Sequence, residues 1–597
     1  MAWLSSSFLV MRFFHRSFIA LFFLSLFAAG PRPAMGNGVD SAERGRPKPN
    51  FSQAVFSNND PWIDQTLHGM SVREKVGQMI VAKVDARYNG DDDPQYLLIS
   101  RLAEEGKIGG IMFLKGDIQS AGILANHFQE VSKVPLLVSA DMERGVAMRL
   151  DGATNFSPAM AISATGDPAL AHSMAEIVAR EARAVGIHQN YAPTVDLNIN
   201  PANPVINTRS FGDSIPLVNA MSAAVIDGLQ SNGEVATAKH FPGHGDVTVD
   251  SHLALPVLEG NRARLDNYEL KPFRAAIAQG VLSVMVGHLA VPKLTGTMEP
   301  ASLSRTIITD LLRNELGFKG LIVTDALNMK ALQNGISAGD IAIQAVRAGN
   351  DVLLYPDDPE VVYDAVCAAV ESGQISESRL DQSVLRILQL KHWLGLDRQK
   401  LVDLSRLKEF VGTPANGVVA QKIAEESLTL VRDRNRNLPL RLPENGRVVN
   451  IILNDRPGQK VGREFADSLR TRYNVAMFRL APDSKPEHFE DAAKAVASAS
   501  LVILTTGIQA WTSTMPPKLS DRQRDFVRSL PAIAPAGTPE LFISFGTPYI
   551  LSAFPEIGTA LCAYTETDQT AAALLKALRG ELVPKGRLPV ALEGVAP

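Results

Sequence analysis

Residues 235–252 read VATAKHFPGHGDVTVDSH, a short apolar run that is followed at once by a polar, titratable segment. The run Val235–Lys239 predicts a short buried strand. Pro242 and Gly243 interrupt the remainder and exclude a regular helix, so Lys239–His252 is predicted to form a loop. A loop rich in histidine, lysine and aspartate at the C-terminal end of a strand is typical of α/β-barrel enzymes, which carry their chemistry there.

Eight short apolar runs between residues 79 and 354 alternate with amphipathic helical patterns, and no long hairpin signal interrupts them. This alternation predicts a parallel β/α architecture, and eight strands are the number that closes a (β/α)8 TIM-type barrel. The runs are Met79–Ala82, Gly110–Leu114, Leu136–Ala140, His188–Pro193, Val235–Lys239, Val281–Gly287, Leu321–Thr324 and Asp351–Leu354. Ser71 followed by Glu74 is a capping-box pattern and predicts the start of the first helix.

A second, smaller α/β set follows the barrel pattern, and it predicts an open-sheet α/β sandwich domain. Its apolar runs are Val448–Leu453, Val475–Leu480, Leu501–Thr505, Leu541–Ser544 and Ala560–Ala563. The first helix of this domain is predicted to run from Val418 to about Leu430, and the proline-rich stretch 531–539 to be a surface loop. The predicted segments are a signal peptide (1–36), a flexible lead-in (37–57), the catalytic barrel (58–396), a linker (397–417) and the C-terminal domain (418–597).

The overall composition limits the classes of function. The chain has 59 Lys and Arg against 63 Asp and Glu, a formal net charge of −4, and no long basic run. Because nucleic-acid binding depends on neutralising phosphates, this balance argues against a nucleic-acid partner. Cys367 and Cys562 lie in different predicted domains and are expected to be free, buried thiols, and no cysteine cluster indicates structural zinc. We predict no cofactor, no metal and no obligatory protein partner.

The N-terminus has the pattern of an export signal. Basic side chains between positions 12 and 16 precede the apolar run Phe18–Ala29, and small residues follow it. This order predicts a signal peptide, with cleavage after Ala29 or Gly36. The alternative is an uncleaved membrane anchor, although the run is short for a membrane span. We therefore expect a protein that is exported to the periplasm or the exterior.

Titratable residues recur directly after the predicted strands, and on a parallel barrel these strand ends converge on one face. A single carboxylate at a strand end has an alternative role as the cap of the next helix. Several such carboxylates together with histidines and a lysine predict an active site. The residues are Asp141, Asp196, Lys239, His240, His288 and Asp325.

Asp325 and the pair Asp250 and His252 supply two complementary chemical groups. Asp325 follows the apolar run Leu321–Thr324, so it is partly shielded and needs cationic or hydrogen-bonding partners to stay ionised. Asp250 and His252 project on the same side of an extended loop, so the carboxylate is predicted to orient the imidazole and to stabilise its protonated form. A nucleophilic carboxylate opposite an acid/base group is the arrangement of retaining glycoside hydrolysis, here with a histidine as the acid.

The chain resembles glycoside hydrolase family 3 and, within it, the β-N-acetylhexosaminidase branch. The resemblance runs over about residues 60–395, and its most specific element is KHFPGHG followed by DSH. A weaker likeness to the family's second domain lies in SFGTPYIL (544–551) and ALRGELVPKGRLPV (577–590). The other barrel motifs are RSFG at Arg209–Gly212, PASLS at Pro300–Ser304, VTDAL at Val323–Leu327 and AGNDVLL at Ala348–Leu354.

The resemblance implies a role for each matching residue. Asp325 is the implied nucleophile and His252 the implied acid/base, with Asp250 as its partner. The implied substrate-binding residues are Asp141, Arg149, Arg209, Lys239 and His240. We also expect Arg209 and Lys239 to favour the ionised form of Asp325 if they lie within several ångströms of it.

One segment departs from the family. The family pattern is close to DQEGGRVxR, whereas residues 141–149 read DMERGVAMR. Arg144 replaces a glycine and Val146 replaces an arginine, so the local backbone and the pocket rim are expected to differ.

The predicted function is an exo-acting retaining β-N-acetylhexosaminidase. It would release terminal β-linked N-acetylglucosamine from peptidoglycan- or chitin-derived saccharides through a covalent glycosyl-aspartate. A β-glucosidase of the same family is an alternative, although those enzymes usually take their acid from the second domain. An N-acetylglucosaminide phosphorylase is another, because a histidine repels an anionic acceptor less than a carboxylate does. The C-terminal domain is predicted to be a scaffold.

Two further alternatives come from other classes. His240 and His244 have the i, i+4 spacing of a zinc pair and suggest a metal-dependent hydrolase. Pro242 and Gly243 lie between them, however, and remove the helix that this spacing requires. A non-catalytic sugar-binding protein would be expected to lack a nucleophile or an acid.

Overall fold

The computed structural model describes residues 50–333, 335–443, 446–508 and 518–594. The predicted signal peptide and the lead-in as far as residue 49 lie outside this range. In the rest of the predicted flexible lead-in, Phe51–Phe56 forms a short helix. The Asn50 side chain caps this helix by accepting a hydrogen bond from the backbone N–H of Gln53. Phe51 packs edge-on against Trp393 with 6.3 Å between the ring centres, which explains why the segment is ordered.

Eight parallel strands form the predicted barrel, and each lies at one of the eight predicted runs. They are β1 (Ile80–Ala86), β2 (Gly110–Asp117), β3 (Leu137–Ala140), β5 (Gln189–Asn190), β6 (Val235–Phe241), β7 (Ser283–Val286), β8 (Leu321–Thr324) and β9 (Leu353–Leu354). The barrel closes between β8 and β9 through a parallel bridge from Val323 to Val352. A further short strand, β4 (Leu150–Asp151), pairs with the end of β2.

The helices cover the outside of the barrel and both faces of the second sheet. They are α1 (Phe51–Phe56), α2 (Pro61–Gly69), α3 (Val72–Gln78), α4 (Pro94–Glu104), α5 (Ile118–Val131), α6 (Ala159–Ala164), α7 (Pro168–Ala184), α8 (Ile215–Gln230), α9 (Arg262–Asn267), α10 (Leu270–Gln279), α11 (Pro292–Thr295), α12 (Ala338–Ala348), α13 (Pro359–Glu371), α14 (Glu377–Trp393), α15 (Leu407–Phe410), α16 (Pro414–Ser427), α17 (Arg463–Arg470), α18 (Pro486–Val496), α19 (Asp521–Ile533) and α20 (Asp568–Leu578). A π-helix spans Thr306–Glu315. The predicted capping box of Ser71 and Glu74 is present at the start of α3.

The C-terminal domain is built on a six-stranded sheet that contains all five predicted strands. In spatial order the strands are β10 (Thr429–Asp433), β15 (Thr559–Cys562), β14 (Glu540–Ser544), β13 (Leu501–Thr506), β11 (Arg447–Leu453) and β12 (Asn474–Leu480). All neighbours are parallel except β10, which runs antiparallel to β15 at the edge. The sequence did not predict β10, whose first two residues fell at the end of the helix predicted to run from Val418 to about Leu430.

Three boundaries differ from the prediction for local reasons. Helix α16 starts at Pro414, within the predicted linker, because the Thr413 side chain caps it and proline suits the first turn. Pro531 lies inside α19, so the predicted surface loop begins as helix. Strand β6 continues to Phe241, which is fully buried and packs edge-on against Phe273.

The segment between the two domains packs on the barrel. The Asn126 side chain accepts a hydrogen bond from the backbone N–H of Val402 at 2.8 Å. Buried Glu181 on α7 accepts from the N–H of Gly412 at 2.9 Å and from the Asn416 amide at 2.8 Å. These contacts hold the predicted linker against the barrel and fix where α16 begins.

Both cysteines, Cys367 and Cys562, are free and buried, as predicted. Among the residues that the structure describes, no helix has the length and apolar character needed to cross a bilayer.

Candidate active site

A cavity opens at the C-terminal end of the barrel strands, and six of the eight predicted site residues line it. They are Asp141, Arg209, Lys239, His240, His252 and Asp325. The other two stand behind the lining: Asp250 contacts His252, and Arg149 contacts Asp141. The fold therefore gathers all eight predicted residues into one region.

Asp325 sits where β8 ends and is held in an ionised form. Its backbone N–H donates to the carbonyl of Val286 at 3.0 Å, and its Oδ1 accepts from the N–H of Ala326 at 2.8 Å. Burial raises the pKa of the carboxyl, but the imidazoles of His288 and His240, the Ala326 N–H and the His252 imidazole outweigh burial and lower the pKa to about 2. The carboxylate is thus charged throughout the neutral range, as a nucleophile requires.

The groups that stabilise charged Asp325 differ from the expected ones. We expected Arg209 and Lys239 to do so, yet the leading contributions come from imidazoles and from one backbone N–H. The charges of Arg209 and Lys239 are engaged by Glu143, and that of Lys239 also by Asp141. The two cations therefore neutralise Glu143 and Asp141 more directly than Asp325.

The His288 side chain contacts the turn that begins at Asp325, the predicted nucleophile. Its side chain is completely buried, with Nδ1 2.7 Å from the Ser302 hydroxyl and Nε2 3.0 Å from the carbonyl of Ala326. Because a carbonyl only accepts, Nε2 carries the hydrogen of the contact with Ala326. Burial lowers the pKa of His288 below its usual value. His288 thus braces the turn that begins at Asp325.

Asp250 and His252 form the predicted dyad. Asp250 is buried, whereas the His252 side chain is 60% exposed at the cavity. The His252 Nδ1 lies 2.8 Å from Asp250 Oδ1, so Nδ1 carries a hydrogen and Nε2 is the nitrogen free to act on substrate. The hydrogen bond to Asp250 is the main cause that raises the pKa of His252 above 6.5, and it outweighs partial burial. The imidazole is therefore prepared to hold a proton near neutral pH.

Asp141, Lys239 and Arg149 form a charged cluster at the cavity, with Asp141 and Lys239 in its lining and Arg149 behind them. Lys239 Nζ donates to Asp141 Oδ1 at 2.8 Å, and Arg149 Nη2 donates to Asp141 Oδ2 at 2.7 Å. Burial raises the pKa of Asp141, but these two cations reverse the effect and lower it. The result is a rigid set of charged donors and acceptors, which suits recognition of sugar hydroxyls.

Glu143 belongs to this site, although the sequence analysis did not single it out. Its carboxylate lies between two cations, 2.7 Å from Lys239 Nζ and 2.7 Å from Arg209 Nη2. Burial raises its pKa, but Arg209 and Lys239 lower it well below the usual value. Glu143 comes two residues after Asp141, at the end of the same strand. This strand-end position is the sequence signal that could have predicted it as a site residue.

Asp196 is the second residue whose role was not assigned. Its Oδ2 accepts from His240 Nδ1 at 2.7 Å, and its Oδ1 accepts from the backbone N–H of His244 at 2.7 Å. His240 therefore keeps Nε2 as an acceptor, 3.4 Å from Arg209 Nη2. Asp196 fixes the His240 ring and the turn that follows β6.

The departing segment 141–149 keeps its two site residues together. Arg144 donates to the Asn155 side chain at 2.9 Å, and Val146 is fully buried. Gly145 has φ +93°, and a side chain there would come within 2.7 Å of the Thr154 carbonyl. The glycine thus preserves a tight turn that returns Arg149 to Asp141.

The histidine spacing that suggested zinc has another use. His240 and His244 stand edge to face with 5.7 Å between ring centres, and His244 Nε2 lies 3.3 Å from the Ser251 hydroxyl. Burial is the largest cause that lowers the pKa of His244, to about 4. Over the described ranges, no three histidine, cysteine, aspartate or glutamate side chains are grouped so that they could hold a metal ion.

An ionised carboxylate and a proton-bearing imidazole that line one cavity of a (β/α)8 barrel, beside a cluster that suits sugar hydroxyls, define a glycoside hydrolase. The sequence model described as Glycosyl hydrolase family 3 N terminal domain matches residues 71–390, and the chain belongs to that family.

Comparisons with individual proteins agree with this assignment. The chain is 30% identical over 571 residues to the "Beta-N-acetylglucosaminidase/beta-glucosidase" of Cellulomonas fimi, covering 91% of this chain and 98% of that protein. A solved family 3 beta-N-acetylglucosaminidase from Paenibacillus sp. str. FPU-7 is 33% identical with a TM-score of 0.78, covering 87% and 99% of the two chains. The structure titled "Beta-glucoside phosphorylase BglX bound to 2FGlc" is 26% identical with a TM-score of 0.81, covering 91% and 97%.

Proposed function

We propose that this enzyme is an exo-acting, retaining β-N-acetylhexosaminidase that removes terminal β-linked N-acetylglucosamine. The observation that carries the proposal is the shared cavity of Asp325 and His252, with His252 held by Asp250. Both catalytic groups come from barrel loops, so the acid does not depend on the second domain. This arrangement favours the hexosaminidase branch over the β-glucosidases of the family.

In the first step, the Asp325 carboxylate attacks the anomeric carbon while the glycosidic bond breaks. Protonated His252 donates its Nε2 proton to the leaving oxygen, and a glycosyl-aspartate ester forms. In the second step, neutral His252 takes a proton from water as the water attacks the same carbon, which releases Asp325. Two inversions restore the original configuration, and the acid is regenerated.

The remaining charged cluster holds the sugar. Asp141, Arg149 and Lys239 would bind hydroxyls at the closed end of the cavity, and Arg209 with His240 would contact the N-acetylglucosamine unit. His252 is more exposed than these residues, which agrees with an acid that meets the leaving group on the open side.

The natural substrates that we propose are peptidoglycan- or chitin-derived saccharides, since both contain β-linked N-acetylglucosamine. Export through the basic and apolar N-terminal segment would bring the enzyme to them. These assignments rest on the sequence pattern and on the proposed reaction.

The experiment that tests the function is a comparison of 4-nitrophenyl glycosides. Purified enzyme should cleave the N-acetyl-β-glucosaminide with a far higher kcat/KM than the β-glucoside. Proton NMR of the first product should show the β-anomer, as retention demands. A higher kcat/KM on the glucoside, or an initial α-anomer, would contradict the proposal.

A phosphorylase is the second candidate, and a specific likeness favours it. One of the similar solved structures is named a beta-glucoside phosphorylase. In addition, a histidine acid/base repels an anionic acceptor such as phosphate less than a carboxylate would. In phosphate buffer such an enzyme would release N-acetylglucosamine 1-phosphate, whereas a hydrolase would release the free sugar. Quantifying both products decides between the two acceptors.

A further inference from the structure

Two segments of the C-terminal domain stand out in the sequence but have no part in the chemistry above. They are SFGTPYIL (544–551) and the end of ALRGELVPKGRLPV (577–590). In the structure each segment contacts a loop that carries sugar-binding machinery of the barrel. The contacts connect the second domain to the active site.

The first contact joins Tyr549 to Asn198. The Asn198 amide donates to the Tyr549 hydroxyl at 3.0 Å, and that hydroxyl lies 3.3 Å from the Asn198 carbonyl, to which it donates. Asn198 is buried and comes two residues after Asp196, which holds both His240 and His244. Tyr549 therefore anchors the loop that orients His240.

The second contact joins the end of the chain to the RSFG loop. The Pro589 carbonyl accepts from the N–H of Asp213 at 3.2 Å, and the Asp213 carboxylate accepts from the N–H of Ala591 at 2.8 Å. Gly212 has φ +143°, and a side chain there would come within 2.3 Å of the Pro589 oxygen. Gly212 follows Arg209 by three residues, so this close approach supports the loop that presents the Arg209 guanidinium.

The two loops are themselves connected. The N–H of Asn198 donates to the carbonyl of Gly212 at 2.8 Å, and the Ser210 hydroxyl donates to the carbonyl of Asp196 at 2.6 Å. Movement of one loop would therefore displace the other. Loss of the Tyr549 contact would therefore displace the loops that position His240 and Arg209.

The packing of the domains makes these contacts firm. Met160, Ala161 and Ala164 of α6 belong to the same apolar core as residues of the second sheet. Helix α6 also contacts the short 3-10 helix Asn207–Arg209. The C-terminal domain is thus fixed to the barrel directly beside the Arg209 loop.

We propose that the C-terminal domain positions the sugar-binding loops of the barrel, with Tyr549 as the positioning residue that connects them. The domain is then part of the working site and not only the scaffold that the sequence predicted. This inference rests on the roles proposed above for Arg209 and His240. Tyr549 does not touch the reacting atoms in this account, and its effect passes through Asn198 and Asp196.

The test compares Tyr549→Phe with Tyr564→Phe in the full-length chain. Tyr564 is buried in the same domain, and its hydroxyl pairs with the Thr429 hydroxyl at 2.9 Å, so it controls for the loss of a hydrogen-bonded phenol hydroxyl in that domain. Tyr549→Phe should lower kcat/KM for the aryl N-acetylglucosaminide by about tenfold, mainly through a higher KM. Tyr564→Phe should lower the thermal midpoint at least as much as Tyr549→Phe does. Its KM should stay within about twofold of the wild-type KM.

A double variant checks the route. Asn198→Ala and Tyr549→Phe should each raise KM, and together they should raise it no more than the larger single effect, because the hydrogen bond that Asn198→Ala removes is one of the two that Tyr549→Phe removes. The inference is overturned if Tyr549→Phe keeps wild-type KM, if Tyr564→Phe raises KM equally, or if the two changes multiply. Different results would contradict the proposed function: an active Asp325→Asn enzyme, or a wild-type enzyme that prefers another glycoside. In the second case the Tyr549 and Asn198 variants would be measured on that preferred glycoside.

Discussion

A single oxygen of Asp250 accepts both the Nδ1 hydrogen and the backbone N–H of His252, each at 2.8 Å. The side chain and the main chain of His252, the proposed acid/base residue, are thus fixed by one buried carboxylate. This arrangement sets the tautomer of the imidazole, leaves Nε2 for the substrate and raises the pKa of His252.

Asp250→Asn should move the alkaline limb of the pH profile to lower pH. The acid must be protonated, so kcat/KM falls as pH rises through the pKa of His252. The Asp250 carboxylate raises that pKa above 6.5, and an amide removes the charge that does so. The profile of kcat/KM is measured on chitobiose, whose poor leaving group needs the proton from His252. Asp246→Asn, in the same loop but paired with Arg264, should leave the limb in place; an unmoved limb in Asp250→Asn would contradict the dyad.

His252→Ala should separate substrates by leaving group. General acid catalysis is typically worth about 10²–10⁴ in rate, and only poor leaving groups need it. We expect a loss of that size on chitobiose and a much smaller loss on the 4-nitrophenyl substrate. His68→Ala, on the exposed face of α2, serves as control. Equal losses on both substrates would argue against the acid role.

Asp325→Asn should lower kcat by a factor of at least about 10⁴, while the circular dichroism spectrum stays unchanged. The amide has the same shape but cannot form the glycosyl ester. In Asp325→Ala, added azide should restore activity and give the α-glycosyl azide by a single inversion. Azide added to His252→Ala should give the β-anomer, because there it attacks the ester. If Asp325→Ala gave the β-azide and His252→Ala the α-azide, the assignment of Asp325 as nucleophile and His252 as acid/base would be reversed.

Glu143→Gln should weaken substrate binding. The carboxylate neutralises two cations at once, and breaking a buried pair costs about 3–5 kcal/mol. We expect kcat/KM to fall roughly 10²-fold, chiefly through KM, because Arg209 and Lys239 lose their shared anchor. Asp351→Asn is the matched control, since buried Asp351 pairs with Arg313 and Arg386 elsewhere in the barrel. It should lower the thermal midpoint without changing KM.

Glu234→Gln should stabilise the protein at neutral pH. Glu234 is completely buried, no hydrogen-bond partner for either carboxyl oxygen lies within the described residues, and burial raises its pKa from 4.5 to about 8. Between these two pH values the unfolded chain releases a proton that the folded chain retains, so stability falls as pH rises. The penalty at pH 7 is on the order of 3 kcal/mol.

The thermal midpoint of Glu234→Gln at pH 7 should therefore exceed that of the wild type by several degrees, and the difference should vanish near pH 4.5. Differential scanning calorimetry across this range measures it. Glu104→Gln, at an exposed position of α4, should show no such pH dependence. A wild-type profile in Glu234→Gln would show that the buried carboxyl is ionised.

The barrel could be predicted because its strands are short, apolar and buried on both faces, a signal that lies within each run. Strand β10 escaped prediction for the opposite reason. Four of its five residues are only partly buried, and it exists because it pairs antiparallel with β15, more than 120 positions away. Helix α16 ends at Ser427, two positions before β10, and the pairing with β15 is what distinguishes a strand there.

Sequence by itself determined the architecture of the barrel and the identity of the groups at its mouth, because apolar periodicity and strand-end positions are local properties. The tertiary structure decided which charges meet. Glu143 reaches Arg209 across 66 positions, and Asn198 reaches Tyr549 across 351. It also assigned His288 to bracing a turn. Electrostatic and hydrogen-bond energies depend on distance and burial in space, and separation along the chain carries neither quantity.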